Sequence, residues 1–240
     1  DLDFKKGRMR DFRFRLMPVF SNLIHADKEM QDYIDQVRLP YQARLEKPLA
    51  MTEQLLYRRD NFMGTFDQLM LEALLKVNDS QIAFSPGFRW GTALLPGQCL
   101  TVEDVMNHTA ITYPETYVRE MTGRELKVIL EDVCDNLFNS DPYYQQGGDM
   151  IRVGGMNYTC DPAAGMGSRI TEMRLDSGEL ISADKDYKVS GWATVTQKSS
   201  GKPIWDVVFE YLTDQQTLRI KKNARPKLLN VEKNPGYERV

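Results

Sequence analysis

A glycine-rich run at residues 147–155, with the sequence GGDMIRVGG, holds the first candidates for ligand binding. Glycine tolerates positive φ and lets another group come close to the backbone, so the run predicts a ligand-facing loop that leads into a strand. Asp149 and Arg152 could bind a polar ligand there, or form an ion pair with a purely structural role. Tyr143 and Tyr144, just upstream, could form an aromatic rim. A glycine-rich turn without a ligand is the alternative.

Two other segments carry side chains suited to a ligand pocket. Arg89 lies between Phe88 and Trp90 in a glycine-containing loop that follows a predicted buried strand. A guanidinium group at a strand end can bind an oxyanion through two parallel hydrogen bonds, and stacking of Arg89 on Trp90 is an equally compatible interpretation. Trp192 lies beside Gly191 in a predicted strand and could form the wall of a pocket, with core packing as its alternative.

The residue sets that usually perform hydrolysis or metal chemistry are missing. Only two histidines, His25 and His108, occur, and they lie far apart in the sequence. There is no Ser/His/Asp set, phosphate-binding loop, dinucleotide-binding fingerprint or cluster of carboxylates and histidines. The cysteines at positions 99, 134 and 160 lack C-x-x-C spacing; we expect buried free thiols, with one disulfide as the alternative. The residues alone therefore indicate a binding domain.

Composition limits the classes of protein to consider. A chain of 240 residues can form one large domain, or one domain with an appendage. The net charge of −3 gives no indication of a nucleic-acid-binding surface. No apolar run approaches the roughly 20 residues that a helix needs to cross a bilayer.

The hydrophobic pattern predicts mixed strands and helices without a regular βαβ rhythm, which indicates an α+β sandwich. Thr101 with Asp104, and Thr122 with Glu125, have the spacing of helix capping boxes. We predict strands at 1–16, 50–56, 81–84, 116–121, 150–158, 170–175 and 187–196. We predict helices at 26–45, interrupted at Pro40, and at 61–78, 101–107, 123–138 and 204–213, then an irregular tail at 221–240.

Residues 48–208 resemble the C-terminal domain of the 5′-nucleotidase family. The matching segments are 83–89 (AFSPGFR), 95–97 (LPG) with 100–105 (LTVEDV), 120–126 (EMTGREL) and 153–162 (VGGMNYTCDP), in the order and spacing of the family. The resemblance implies an α+β fold, a mixed sheet with flanking helices, over residues 49–240. It also implies that residues 1–48 are the last strand of a missing metallophosphatase domain and its linker helix.

Departures from the family pattern argue against a nucleotide as the substrate. Nucleotidases clamp the base between two aromatic side chains, and the matching positions here are Val153 and Trp192. Loss of one stacking partner would cost on the order of 1–3 kcal/mol. The run at 147–155, the FRWG segment at 88–91 and the TYPETY segment at 112–117 resemble the SoxB-type thiosulfohydrolases within the family.

The resemblance implies a specific role for the chain. It would be the substrate-binding domain of a hydrolase that removes the terminal sulfone, as sulfate, from a cysteine S-thiosulfonate on a SoxYZ-type carrier protein in the periplasm. A manganese pair would lie in the missing N-terminal domain, so this chain would hold no metal or catalytic residue and would be inactive alone. The implied substrate-binding residues are Arg89, Tyr113, Gly147, Gly148, Asp149, Met150 and Trp192. The alternatives are a domain of a 5′-nucleotidase or other metallophosphoesterase, and a stand-alone ligand-binding module.

Overall fold

The computed structural model describes residues 1–20, 23–88, 90–194, 199–213, 215–220 and 225–232. The chain forms two compact units, Asp1–Ala43 and Arg44–Val240. None of the helices in these ranges is long and apolar enough to cross a membrane.

The first unit begins with a hairpin rather than with the single strand predicted at 1–16. Strand β1 (Leu2–Lys5) pairs in antiparallel fashion with β2 (Arg8–Phe12), and every residue of both strands is exposed. The turn between them has positive φ at Lys6 and Gly7, which reverses the chain. The run from Lys5 to Arg8 contains no apolar residue, and Gly7 permits the positive φ, so the sequence held a local turn signal that the prediction of one strand overlooked.

The predicted helix at 26–45 divides into two pieces at Pro40, as expected. Helix α1 (Lys28–Arg38) is capped by Asp27, whose carboxylate accepts a hydrogen bond from the backbone N–H of Met30. Helix α2 (Gln42–Leu45) follows after the interruption. The origin of residues 1–48 in a missing metal domain and its linker stays a prediction.

The second unit contains the remaining elements, and the α+β fold class is confirmed. In chain order they are β3 (Pro48–Thr52), α3 (Thr65–Val77), β4 (Ile82–Ser85), β5 (Cys99–Thr101), α4 (Val102–Thr109), β6 (Thr116–Thr122), α5 (Gly123–Phe138), β7 (Arg152–Gly154), β8 (Met156–Cys160), β9 (Ile170–Leu175), β10 (Asp186–Trp192), α6 (Ile204–Leu212), β11 (Thr217–Leu218) and β12 (Lys227–Leu228). Both predicted capping boxes are present, at the starts of α4 and α5.

A mixed four-stranded sheet in the order β6-β10-β4-β7 positions the candidate site. Strand β10 runs parallel to β4 and antiparallel to β6, and β7 runs antiparallel to β4. Two three-stranded sheets, β11-β3-β5 and β12-β8-β9, complete the described strands of this unit.

Two hydrophobic clusters cover the two faces of the four-stranded sheet. Ala83 and Trp192 belong to one cluster, together with apolar residues of α3 and α6. Ile82, Phe84 and Val189 belong to the other, together with apolar residues of α5, β8 and β9. Neighbouring residues of β4 point into opposite clusters because side chains alternate along a strand. The sheet is therefore the middle layer of a sandwich.

Several predicted boundaries differ from the structure, among them those of the strand predicted at 50–56, which is observed at Pro48–Thr52. Helix α3 begins at Thr65 and not near residue 61, because Asp60 accepts hydrogen bonds from the N–H groups of Phe62 and Met63 in a turn. The predicted strand at 150–158 is split at Gly155, which has a φ of +79°. Strand β12 lies in the tail that was predicted to be irregular, and it pairs with β8. Residues 221–224 and 233–240 of that tail lie outside the described residues.

The cysteines follow the prediction in part. Cys134 and Cys160 are buried free thiols, as expected. Cys99 is exposed, so the expectation of burial was wrong for this position. Its side chain points outward from a short strand of the β11-β3-β5 sheet, where only the neighbouring Leu100 is buried.

Candidate functional site

The topology of the four-stranded sheet brings the predicted site segments to one edge. Strand β4 ends at Ser85, which lies opposite Arg152 at the start of β7. The parallel strand β10 ends at Trp192, and this residue lies opposite Thr116 at the start of β6. The loop after β4, the glycine run before β7, Trp192 and the segment around Tyr113 before β6 therefore all lie at the same end of the sheet. Such strand ends are common sites of ligand binding.

The loop after β4 and the glycine run touch each other at Gly87. A Cβ atom placed on Gly87 would lie 2.5 Å from the carbonyl oxygen of Met150 and 2.7 Å from that of Asp149. Because real Cβ atoms do not approach backbone atoms so closely, only glycine fits at this crossing. Two of the segments selected from the sequence are thus in direct backbone contact.

The first part of the run, Gly147 and Gly148, is exposed to solvent. Both glycines have positive φ, +80° and +94°, as the sequence suggested. The aromatic residues before them are exposed as well, Tyr143 with 96% of its surface and Tyr144 with 66%. Asp141 holds this turn by accepting a hydrogen bond from the N–H of Tyr143. We call residues 143–148 the exposed lip, since all six residues are exposed to solvent.

The second part of the run is buried. Met150 is fully buried, and the carboxylate of Asp149 lies 3.3 Å from the Arg152 guanidinium with both side chains excluded from solvent. Arg152 also donates to the carbonyl oxygens of Met150 and Asp60, at 3.1 and 2.5 Å. The Asp149–Arg152 pair accordingly has the structural role that was one of its two interpretations.

Asp67, in the first turn of α3, connects this pair to a second buried arginine. Its two carboxylate oxygens accept hydrogen bonds from Nε of Arg58 at 2.8 Å and from Nε of Arg152 at 3.1 Å, and all three side chains are fully buried. Burial raises the pKa of Asp67, whereas the two guanidinium groups oppose that rise. We refer to Arg58, Asp67, Asp149 and Arg152 as the buried charge network.

Arg58 links the network to the loop after β4. Its guanidinium donates to the carbonyl oxygens of His108, at 2.6 Å, and Pro86, at 3.0 Å. Its charged end also lies 5.7 Å from the ring of Phe88 and 5.6 Å from the ring of Trp90, within range of cation–π attraction. Phe88 and Trp90 stack on each other with ring centroids 3.9 Å apart. The cation beneath this aromatic pair is therefore Arg58.

His108 is buried against the same loop. Its ring stacks on Phe66 at 3.7 Å, and its Nε2 lies 2.9 Å from the carbonyl oxygen of Thr92. Burial lowers the pKa of His108 to about 4, and the nearby Arg58 charge adds to this effect. The imidazole is therefore neutral at pH 7 and acts as a packing group.

Trp192 lies behind the aromatic pair. It is nearly buried, meets Phe88 edge to face at 6.1 Å, and donates from Nε1 to the hydroxyl of Ser85 at 2.8 Å. Trp192 thus belongs to the core and supports Phe88 at the same time. Its contact with a ligand stays a prediction, as does that of the buried Asp149 and Met150.

Tyr113 is half exposed at the opposite side of the same sheet edge. The chain just after it is anchored, because the carbonyl oxygen of Pro114 accepts from the N–H of Ile204 and the N–H of Thr116 donates to the carbonyl oxygen of Lys202. Arg89 lies outside the described residues, so its role also stays a prediction.

Arg58 and Asp67 were not selected from the sequence. One signal was present, because Asp67 is a charged residue within the apolar stripe of the most strongly predicted helix. A carboxylate on a core-facing stripe requires a buried partner of opposite charge. Arg58, nine residues earlier, could not be identified as that partner without the turn at 60–64.

The described part of the chain contains no group of three or more His, Cys, Asp or Glu side chains that could hold a metal ion. The residues present therefore do not fit a dinuclear metal centre, and no chemical step is assigned to a metal held by this chain. What the arrangement offers is a rigid support beneath an exposed surface of aromatic rings and glycine backbone.

A family model named "5′-nucleotidase, C-terminal domain" matches residues 47–207. The chain belongs to this family. The matched region covers β4, β6, β7 and β10. All four strands of the sheet that positions the candidate site therefore belong to the family domain.

Three similar proteins are a thiohydrolase, a nucleotidase and a phosphoesterase. The structure of the Thermus thermophilus sulfate thiohydrolase SoxB superposes with a TM-score of 0.85 at 34% identity, over 96% of this chain and 44% of that one. The structure of a 5′-nucleotidase precursor from the same organism superposes with a TM-score of 0.72 at 16% identity, over 95% of this chain and 49% of that one. At this identity the similarity shows the fold alone. The trifunctional nucleotide phosphoesterase YfkN of Bacillus subtilis is 27% identical over 131 residues, 48% of this chain and 8% of YfkN. The chain thus spans less than half the length of these relatives.

Proposed function

We propose that this 5′-nucleotidase-type domain is the substrate-binding part of a thiosulfohydrolase. In that role it would present a carrier-bound cysteine S-thiosulfonate for hydrolysis to sulfate. The observation that carries the proposal is the similarity to the thiohydrolase SoxB, which extends over 96% of the chain at 34% identity. The nucleotidase structure, at 16% identity, shares the fold with much less of the sequence.

The position of Val153 supports a substrate other than a nucleotide. By the resemblance to nucleotidases, Val153 would stand where they have one base-stacking aromatic residue, and its side chain is buried in one of the two hydrophobic clusters. A buried aliphatic side chain provides no exposed ring face for a base. The aromatic surface that remains, Phe88 with Trp90 and the exposed lip, lies on loops outside the sheet and suits an extended peptide arm.

In the proposed binding mode, the residues of this chain position the substrate. Arg89, which lies between the stacked Phe88 and Trp90 in the chain, would pair with the sulfonate oxygens. Tyr113 and the backbone of Gly147 and Gly148 would line the path of the carrier peptide. Asp149, Met150 and Trp192 would act from below, by holding the lip and Phe88 in place.

The hydrolytic machinery is proposed to lie in an N-terminal metallophosphatase domain of the same protein. A manganese pair there would supply the activated water when bound. The carrier is proposed to be a SoxYZ-type protein, and the periplasm is the proposed location. The described residues of this chain contribute binding and orientation.

A direct assay tests the proposal on the longer protein that contains this chain. Sulfate release from a peptide bearing a cysteine S-thiosulfonate is measured beside phosphate release from AMP, both with added Mn²⁺. We expect turnover of the thiosulfonate and little of AMP, whereas the 240-residue chain alone gives neither. Preferential AMP hydrolysis would replace the proposal with the second candidate, a metallophosphoesterase, which the match to YfkN favours.

A substitution at Arg89 tests the binding role in the same protein. We expect Arg89→Ala to lower kcat/KM for the thiosulfonate peptide by about 10–100-fold, because a charge-assisted hydrogen bond is worth about 1.5–3 kcal/mol. The matched control is Arg124→Ala. Arg124 is an exposed arginine in the first turn of α5, and it pairs with Asp184. An Arg89→Ala enzyme with unchanged kcat/KM would remove Arg89 from the site.

A further inference from the structure

Two buried cysteines are in contact beneath the candidate site. Cys134 belongs to the fourth turn of α5, and Cys160 is the last residue of β8. Their Sγ atoms lie 3.6 Å apart, and neither residue is accessible to solvent. A disulfide requires the same pair of sulfur atoms at about 2.05 Å, so a shift of about 1.5 Å would bond them.

The surrounding contacts hold the two thiols together. One turn before Cys134, the buried carboxylate of Glu131 accepts hydrogen bonds from the N–H groups of Gly167, at 2.8 Å, and Ile170, at 2.8 Å. Ile170 is the residue that lies directly opposite Cys160 in the β8–β9 ladder. Helix α5 is therefore fixed to the sheet at the very position where Cys160 lies.

An ion pair fixes the other side of Cys134. Asp135 accepts a hydrogen bond from Arg169 at 2.5 Å, and Arg169 also donates to the carbonyl oxygen of Phe138 at the end of the helix. Cys134 thus lies between two anchored carboxylates. Because helix and sheet are already joined on both sides, closing the sulfur atoms to bonding distance requires little movement of either element.

The segment between the two cysteines contains the glycine run and the exposed lip. Residues 135–159 include the turn with Tyr143 and Tyr144, the glycines at 147 and 148, and strand β7. A covalent link between Cys134 and Cys160 would join the two ends of this segment beneath the sheet. It would thereby limit how far the lip can move when the domain opens locally.

We propose that Cys134 and Cys160 form a disulfide when the chain folds in the presence of a disulfide oxidant, and that this bond staples the segment that carries the lip. The thiolate of one cysteine attacks the oxidant, for example glutathione disulfide, and releases one glutathione thiolate. The second cysteine thiolate then displaces the second glutathione, so two protein thiols are oxidised while one glutathione disulfide is reduced to two thiols. The inference is independent of the proposed function.

We expect the disulfide to form during folding, before Cys134 and Cys160 are fully buried. The hydrogen bond with Cys134 and burial raise the pKa of the Cys160 thiol, so the folded, reduced protein holds almost no thiolate at this position. Oxidant added to the folded protein is therefore expected to react slowly at this pair. Cys99, which is exposed, provides an internal comparison for reactivity.

The test is refolding of the 240-residue chain from denaturant, in a glutathione redox buffer or with a reducing agent. We expect the count of reactive thiols in denaturant to fall from three to one, the mass to fall by about 2 Da, and a tryptic peptide pair to link Cys134 with Cys160. The linked chain should melt about 5–10 °C above the reduced one. Three remaining thiols, a link through Cys99, or an unchanged Tm would overturn the proposal.

Two variants separate the staple from general effects of oxidation. Cys99→Ser should keep the link and the rise in Tm, because Cys99 takes no part in either. Cys134→Ala should lose both, and its reduced form provides the reference for the Tm of the unlinked fold. If Cys134→Ala still shows a rise in Tm in the glutathione buffer, the stabilisation does not come from this bond and the staple is refuted.

Discussion

The exposed lip and the buried charge network are neighbours in the chain and opposites in environment. Gly147 and Gly148 face solvent, whereas the side chains of Asp149, the next residue, and of Arg152 are excluded from it. Local hydrogen bonds hold the lip, for example from Gln145 Nε2 to the carbonyl oxygen of Asn139 and from the N–H of Gly147 to the carbonyl oxygen of Asn136. The network joins α3, the loop after β4 and the start of β7 through Asp67, Arg58 and Arg152.

This difference separates presentation of a ligand from support of the site. The exposed groups of the lip can meet a substrate, and the network determines where the lip lies. A substitution in the network should consequently cost folding free energy first, and a substitution in the lip should cost mainly binding.

Asp67→Asn should destabilise the second unit by about 3–5 kcal/mol. The change removes the charge that compensates Arg58 and Arg152, which are both fully buried. Urea denaturation followed by tryptophan fluorescence measures the loss in the free energy of unfolding. The matched control is Asp184→Asn at the exposed pair with Arg124, where a loss below about 1 kcal/mol is expected. Equal losses in the two variants would show that the network is not the main support.

Gly87→Ala should cost up to about 3 kcal/mol, because the new methyl group would meet the carbonyl oxygens of Met150 and Asp149. Gly147→Ala should cost about 1–2 kcal/mol, since nothing lies within 4 Å of its added Cβ and only the positive φ opposes the change. The same denaturation experiment compares the two. A larger loss for Gly147→Ala would mean that the crossing at Gly87 is not tightly packed.

The same division explains what could be read from the sequence. Local signals sufficed for the elements, because the caps at Thr101 and Thr122 and the apolar stripe of α3 depend only on neighbouring residues. Local signals also suggested the exposed glycines, whose positive φ follows from their residue type. At the β1–β2 hairpin a local signal was present and overlooked, since residues 5–8 are polar and include Gly7.

The support of the site could not be derived in the same way. Arg58 and Arg152 are 94 residues apart, and they meet only because β7 pairs with β4 beside the start of α3. The glycine run does not distinguish an exposed residue from a buried one, so the burial of Asp149 and Met150 could not be predicted, and their contact with a ligand stays a prediction. The contact between Cys134 and Cys160 likewise depends on the docking of α5 against the β8–β9 ladder.

His108 reports on the buried region through the pH dependence of stability. Its pKa is lowered from 6.5 to about 4 by burial, so between these values the unfolded chain binds a proton that the folded chain excludes. The neutral His108 therefore imposes no cost on the free energy of unfolding above about pH 6.5, and that free energy falls as the pH decreases from 6.5 toward 4. The expected loss between pH 7 and pH 5 is about 2 kcal/mol.

The variant His108→Gln should remove this part of the pH dependence, because glutamine can still donate to the carbonyl oxygen of Thr92 but does not titrate. The free energy of unfolding, measured by urea denaturation at pH 7 and pH 5, should change less in the variant by about 2 kcal/mol. His25→Gln, in the first unit, is the control and should keep the slope of the original chain. If both variants keep that slope, His108 is accessible to protons in the folded state. The region beneath the loop after β4 would then open to water much as the lip does, and the division between the two would not hold.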